Sequence, residues 1–170
     1  HSKSSNTMSE DLTIKYEAVI GLEVHAQLQT RSKLFAGDAA AFGADPNTHV
    51  SPITLGHPGT LPRMNKAAIE HAISMGLVCH CTIEKHNYFA RKNYFYPDLP
   101  KGYQISQHTT PICSGGFVRI NTSTGQRDIQ LTRIHMEEDA GKSIHDQHDG
   151  LTVLDYNRAG VPLIEIVTDP

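Results

Sequence analysis

A chain of 170 residues is long enough for one domain with a core of its own, and the composition is globular: 38% hydrophobic, 19% charged, with 13 Gly and 9 Pro, too many turn-formers for a helical bundle. The formal charge of −3 excludes a domain that grips nucleic acid by phosphate neutralisation alone, and no apolar run approaches the roughly 20 residues of a membrane span. An odd number of cysteines (Cys79, Cys81 and Cys113) without a secretory signal argues against a disulfide framework and for a reducing, cytoplasmic setting.

Residues 1–12, with Met8 behind a polar run, read as a disordered leader or expression remnant, and residues 13–170 as the folded part. From 20 to 28 the pattern alternates strictly: Ile20, Leu22, Val24, Ala26 and Leu28 on one face, Glu23, His25 and Gln27 on the other, which predicts a half-buried strand. Residues 30–65 are dense in Gly and Pro and predict loops with at most a short strand over 50–55. Asn65 is placed to cap a helix over 66–78 whose stripe is Ile69, Ala72, Ile73, Gly76 and Leu77. The aromatic stretch 91–107 follows neither a 3.6 nor a 2.0 period and predicts a long ordered loop. Residues 117–120 and 129–136 flank the turn-rich Asn121-Thr-Ser-Thr-Gly125 and predict a hairpin, with further strands over 151–155 and 162–167. Strands dominate without βαβ alternation, so the expected class is α+β with a largely antiparallel sheet. The chain stops at Asp169-Pro170 directly after an apolar run, which suggests a piece of something longer.

Several polar residues sit where they invite chemistry. Glu23 and His25 leave one strand face about 7 Å apart, close enough to share a ligand, although a solvated polar face is the simpler account of an isolated pair. In Arg133-Ile-His-Met-Glu-Glu-Asp139 the acid Glu137 has the strand parity of Arg133 and His135; carboxylates beside an imidazole suit Mg²⁺ or Mn²⁺, and a solvated charge run is the alternative. Gly141 and Lys142 are too common a pair to identify a phosphate cradle. Glu165 interrupts the apolar run 161–167, where an unpaired buried carboxylate is costly, so it pairs with a cation or faces water from an edge strand. Cys79-His-Cys81 is tighter than usual zinc spacing and reads as structural.

Five blocks together resemble the GatB/GatE family: Ile20-Gly-Leu-Glu-Val-His25, Pro58-Gly-Thr-Leu-Pro62, the seventeen residues from Arg91 to Gln107, the segment from Arg133 to Lys142, and Asp155-Tyr-Asn-Arg-Ala-Gly-Val-Pro-Leu-Ile-Glu-Ile-Val167. The resemblance implies a glutamine-synthetase-like α+β cradle, of which this chain would be the N-terminal part, incomplete at its C-terminus. It implies the B subunit of a heterotrimeric ligase that uses ATP to activate the side-chain carboxylate of Glu-tRNA(Gln), or Asp-tRNA(Asn), as an acyl phosphate. Ammonia would come from a glutaminase, the A subunit, and the C subunit would be the third partner, in the cytoplasm or an organellar matrix.

By resemblance, His25, Glu137 and Glu165 would bind Mg²⁺ with Glu23 beside them, and Lys92 and Lys101 would line the ammonia channel. Glu137 is preferred to Glu138 on strand parity, a choice that a β-bulge reverses. Many relatives hold a structural zinc with four cysteines; the corresponding positions here are Ala36, Asp38, Ser51 and Thr54, so no zinc is expected and packing must hold that loop. The fragment alone is expected to be inactive. Two other classes remain open: a non-catalytic RNA-binding or assembly module, and a metal-assisted hydrolase built on His25 and two Glu.

Overall fold

The longest strand, Gly125–Glu138, organises the molecule because four other strands attach along it. The computed structural model describes residues 16–145 and 150–170, so the leader expected over 1–12 lies outside the described residues. In chain order the elements are β1 (Glu23–Gln27), α1 (Lys66–Val78), β2 (Thr82–Ile83), β3 (Ala90–Asn93), β4 (Tyr103–Ser106), β5 (Cys113–Ser114), β6 (Phe117–Thr122), β7 (Gly125–Glu138), β8 (Lys142–Ile144), β9 (Val153–Asp155) and β10 (Pro162–Thr168). An antiparallel sheet runs β1-β10-β7-β4-β3, with β5 and β6 also pairing with β7 and β2 pairing with β5; β8 and β9 form a separate ribbon. The expected class, strand-rich and antiparallel with one helix among the described residues, agrees with this arrangement.

Period-two alternation explains the sheet's two faces. Ile134, Met136 and Ile164 point to one side and are fully or almost fully buried in a core that also takes Leu34, Ala68, Ala72, Ile105 and Cys113. Odd-numbered residues of the same strands point to the other side.

The helix occupies the span expected, and Asn65 Oδ1 accepts a hydrogen bond from Ala67 N at 3.0 Å. Its stripe is rotated, however. The buried positions are Ala68, Ala72 and Gly76, while Leu77 is 62% exposed. Small residues let the helix lie close on β5: a Cβ on Gly76 would stand 2.3 Å from Cys113 Sγ.

Two other expectations are corrected. The loop over 91–107 is the hairpin β3/β4, paired from Ala90↔Ser106 to Asn93↔Tyr103. Its period was hidden because polar Gln104 and Ser106 are buried, satisfied by the backbone oxygen of Glu138 and the carboxylate of Glu137. Residues 50–55 form turns without a strand, with Leu55 N donating to Ser51 O and His57 N to Pro52 O, which agrees with the loops expected there. Finally, β1 is shorter than 20–28, and Ile20, Leu22 and Val24 are exposed rather than half-buried; among the described residues β1 pairs only with β10, and only Ala26 and Leu28 of that face reach the core.

Candidate metal centre

The register of three strands builds the site. His25 of β1 lies opposite Glu165 of β10, which lies opposite His135 of β7. One step along, Gln27, Leu163 and Glu137 form the next row, and Glu137 lies opposite Ser106 of β4. These residues share the face turned away from Ile134 and Met136, as alternation requires. The one irregularity in the β7/β10 pairing falls between Val167 and Thr168, beyond the site, so Glu137 keeps this face and Glu138 takes the other.

Donor atoms of His25, Glu137 and Glu165 all lie within 4.8 Å of one another. His25 Nε2 is 2.9 Å from Glu137 Oε1 and 3.4 Å from Glu165 Oε2. His135 Nε2 approaches the same two carboxylates from the buried side, at 3.2 Å from Glu165 Oε2 and 3.5 Å from Glu137 Oε2. Two imidazoles and two carboxylates thus alternate around a ring. Ser106 Oγ donates to Glu137 Oε2 at 3.2 Å. Burial opposes ionisation of Glu137, but His135, His25 and the Ser106 hydroxyl outweigh it and hold its pKa below the ordinary glutamate value.

Glu23 and Lys92 line the same cleft, a space of about 500 Å³ whose lining also includes Gln27, Asp139 and Arg158. Gln27 Nε2 donates to Asp139 Oδ2 at 2.8 Å, and Arg158 donates to the carbonyls of Ala140 and Gly141. Lys101 is elsewhere. It lies behind the sheet, where its Nζ donates to both oxygens of Glu138 at 2.5 and 2.7 Å. Lys33, for which the sequence carried no signal, is 1% exposed in the same region and donates to His49 O at 2.6 Å. Desolvation lowers its pKa to about 8, against the pull of Asp38, Asp155 and Glu138.

Of the four loop positions, Ala36 lines this rear pocket and the other three come together: Ser51 Oγ donates to Asp38 Oδ2 at 2.8 Å, and Thr54 Oγ1 donates to the same oxygen. The loop is held by hydrogen bonds to a carboxylate as well as by packing. Cys79, Cys81 and Cys113 are free, and burial raises all three thiol pKa values, that of Cys113 to about 12, so they stay protonated. Gly141 and Lys142 open the β8/β9 ribbon, outside the cleft lining.

The donor set suits a hard divalent cation. With metal–oxygen distances of about 2.1 Å, neighbouring ligands of an octahedral Mg²⁺ sit about 3 Å apart, close to the separations around His25. Two carboxylates and one imidazole also leave coordination positions for water or phosphate.

A family model described as the GatB/GatE catalytic domain matches residues 18–170. The chain is 58% identical over 165 residues to the B subunit of the aspartyl/glutamyl-tRNA(Asn/Gln) amidotransferase of Salinibacter ruber, covering 92% of this chain and 32% of that protein. It is likewise 58% identical to the proteins of the same name from Thermoanaerobacter sp. strain X514 and Chlorobium phaeobacteroides, each time over 92% of this chain and 33% of the relative. The chain therefore spans about a third of the length of the curated relatives it matches. No helix among the described residues is long and apolar enough to cross a membrane. Since the family match begins ahead of β1 and runs through β10, carrying the whole His-carboxylate ring with it, the chain belongs to the GatB/GatE catalytic-domain family.

Proposed function

We propose that the protein containing this chain activates the side-chain carboxylate of Glu-tRNA(Gln), or of Asp-tRNA(Asn), with ATP, forming an acyl phosphate that ammonia converts to the amide. The convergence of His25, Glu137 and Glu165 carries this reading, because phosphoryl transfer is mainly positioning and neutralisation of oxygen charge. Mg²⁺ held by those three residues supplies that neutralisation when bound.

The chain's own groups divide the remaining work. His25, on the open side of the ring, would bind a cation through the lone pair of Nε2, with the ring N–H at Nδ1. Glu23 and Lys92 are exposed residues of the cleft lining, where Lys92 attracts phosphate oxygens and Glu23 favours a cationic or N–H partner. By the resemblance, Lys92 on the cleft face and Lys101 behind the sheet mark the route of ammonia, which comes from the glutaminase A subunit in a complex that also contains the C subunit. In this reading the wider fold is the glutamine-synthetase-like cradle, the setting is cytoplasmic, no zinc is required, and the chain alone does not complete amidation.

The test is reconstitution of the full-length protein with the A and C subunits, followed by ATP- and glutamine-dependent amidation of each mischarged tRNA. Glu165→Gln keeps the side-chain volume and removes the charge; it is expected to abolish ATP-dependent activation without unfolding the protein. Normal activity in that variant would overturn the reading. tRNA binding without any ATP-dependent chemistry would favour an assembly module instead.

A further inference from the structure

Two carboxylates that share one cation repel each other when it is absent, and something must hold them in place. Glu137 and Glu165 both have largely buried side chains, and His25 covers them only from the solvent side, its own side chain 54% exposed. The second imidazole is different. His135 is 4% exposed and sits in β7 between Ile134 and Met136, which anchor the strand in the core. Its Nε2 faces Oε2 of both glutamates, and its Nδ1 has no hydrogen-bond partner among the described residues. A neutral imidazole has one N–H, and two acceptors in front of Nε2 place the proton there, leaving Nδ1 as an unshared acceptor.

We propose that His135 is a positioning residue: its Nε2–H, with the Ser106 hydroxyl, occupies the rear oxygen of Glu137 and bridges to Glu165, so that Glu137 Oε1 is left facing His25 and the cation. This rests on reading the ring as a metal site. Glu137 shows the division of labour in its contacts, with Oε2 accepting from Ser106 Oγ and standing 3.5 Å from His135 Nε2, and Oε1 meeting His25. Outer hydrogen-bond partners of this kind fix ligand orientation and commonly change metal affinity 10- to 100-fold.

Mn²⁺ binding to the full-length protein, followed through the electron paramagnetic resonance signal of free Mn²⁺, tests the inference. His135→Leu keeps bulk and removes the N–H, and should weaken binding roughly 10- to 100-fold. His135→Gln, whose amide N–H reaches the same carboxylates, should remain within about threefold of the parent, well short of that range. Spin-echo spectra of the bound Mn²⁺ should show one directly coupled imidazole nitrogen, kept in His135→Gln and lost in His25→Gln. Loss of that coupling in His135→Gln would make His135 a ligand and overturn the positioning role. Parent-like binding in His135→Leu, alongside failure of Glu165→Gln to bind, overturns this inference alone; parent-like binding in Glu165→Gln and His25→Gln as well removes the metal reading beneath it. If His135→Leu does not fold, His135→Asn replaces it, since its shorter amide falls short of the carboxylates and the same loss is expected.

Discussion

Glu137 and Glu138 are neighbours at the end of β7, equally buried at 4% exposure, yet they meet opposite conditions. Glu138 faces the rear pocket, where Lys101 donates to both its oxygens and Ile105 N donates to one at 3.0 Å, in a space of only about 90 Å³. Glu137 faces a polar cleft of about 500 Å³, and its partners are a second carboxylate, two imidazoles and a hydroxyl. The rear carboxylate is closed, charge-paired and saturated. The front one has no Lys or Arg ion-pair partner among the described residues, as the proposed cation site requires.

The sharpest way to break that comparison is to neutralise each acid in turn. Glu138→Gln strands the Lys101 ammonium without its partner, and loss of one member of a buried pair costs about 3–5 kcal/mol. Glu137→Gln relieves repulsion with Glu165 and keeps an acceptor for Ser106, so its cost should be about 1 kcal/mol or less while Mn²⁺ binding is lost. Urea unfolding of both variants in chelator decides the matter; equal losses would show that the two sides of β7 do the same job.

The rear side also holds one amine too many, and pH exposes it. Lys33 has a folded pKa of about 8 against 10.5 for the free side chain. Below pH 8 it is protonated in both states and the burial penalty is full. Between about 8 and 10.5 the unfolded chain binds more protons than the folded one, so stability rises with pH, by up to about 3 kcal/mol at 1.36 kcal/mol per unit. In Lys33→Met that rise should vanish from the urea midpoints across this window, and an unchanged slope would assign it to other groups.

A smaller loss is expected at the rear loop. Asp38→Ala strands the hydroxyls of Ser51 and Thr54, Thr54 being buried, for a cost of about 1–3 kcal/mol. Thermal unfolding reads it, and a loss below about 0.5 kcal/mol, the scale of an ordinary surface change, would mean that packing alone holds the loop.

The same two faces explain what could be read in the sequence. The front face was legible because strands alternate: parity alone grouped Glu23 with His25 and Glu137 with His135, and the apolar run around Glu165 marked a carboxylate out of place. The helix from 66 to 78 was legible for the similar reason that its cap and period agree. The rear side was not. Lys33 and Lys101 look like surface lysines, and their burial depends on carbonyls and a carboxylate more than ten residues away in the chain. The β3/β4 hairpin was missed on similar grounds, since Gln104 and Ser106, on the cleft side of β4, are polar yet buried, and bond to β7. Exposure of Val24 reflects an edge strand, which alternation cannot distinguish from a covered one.

The smallest expected stability effect belongs to the residue most central to the proposed chemistry. His25 lies on the open side, with its side chain 54% exposed on edge strand β1, and its close partners among the described residues are Glu137 and Glu165. His25→Asn removes a hydrogen bond that water can replace, while Ser106 and His135 continue to hold the carboxylates from behind. Its unfolding free energy should therefore stay within about 0.5 kcal/mol of the parent, as for an ordinary surface position. Mn²⁺ affinity in the same sample should fall by at least tenfold, because the third ligand is gone and Asn is a poor substitute for an imidazole. A stability loss as large as that of Glu138→Gln, or unchanged Mn²⁺ affinity, would mean that the front of β7 is a second structural cluster rather than a site kept open for a cation.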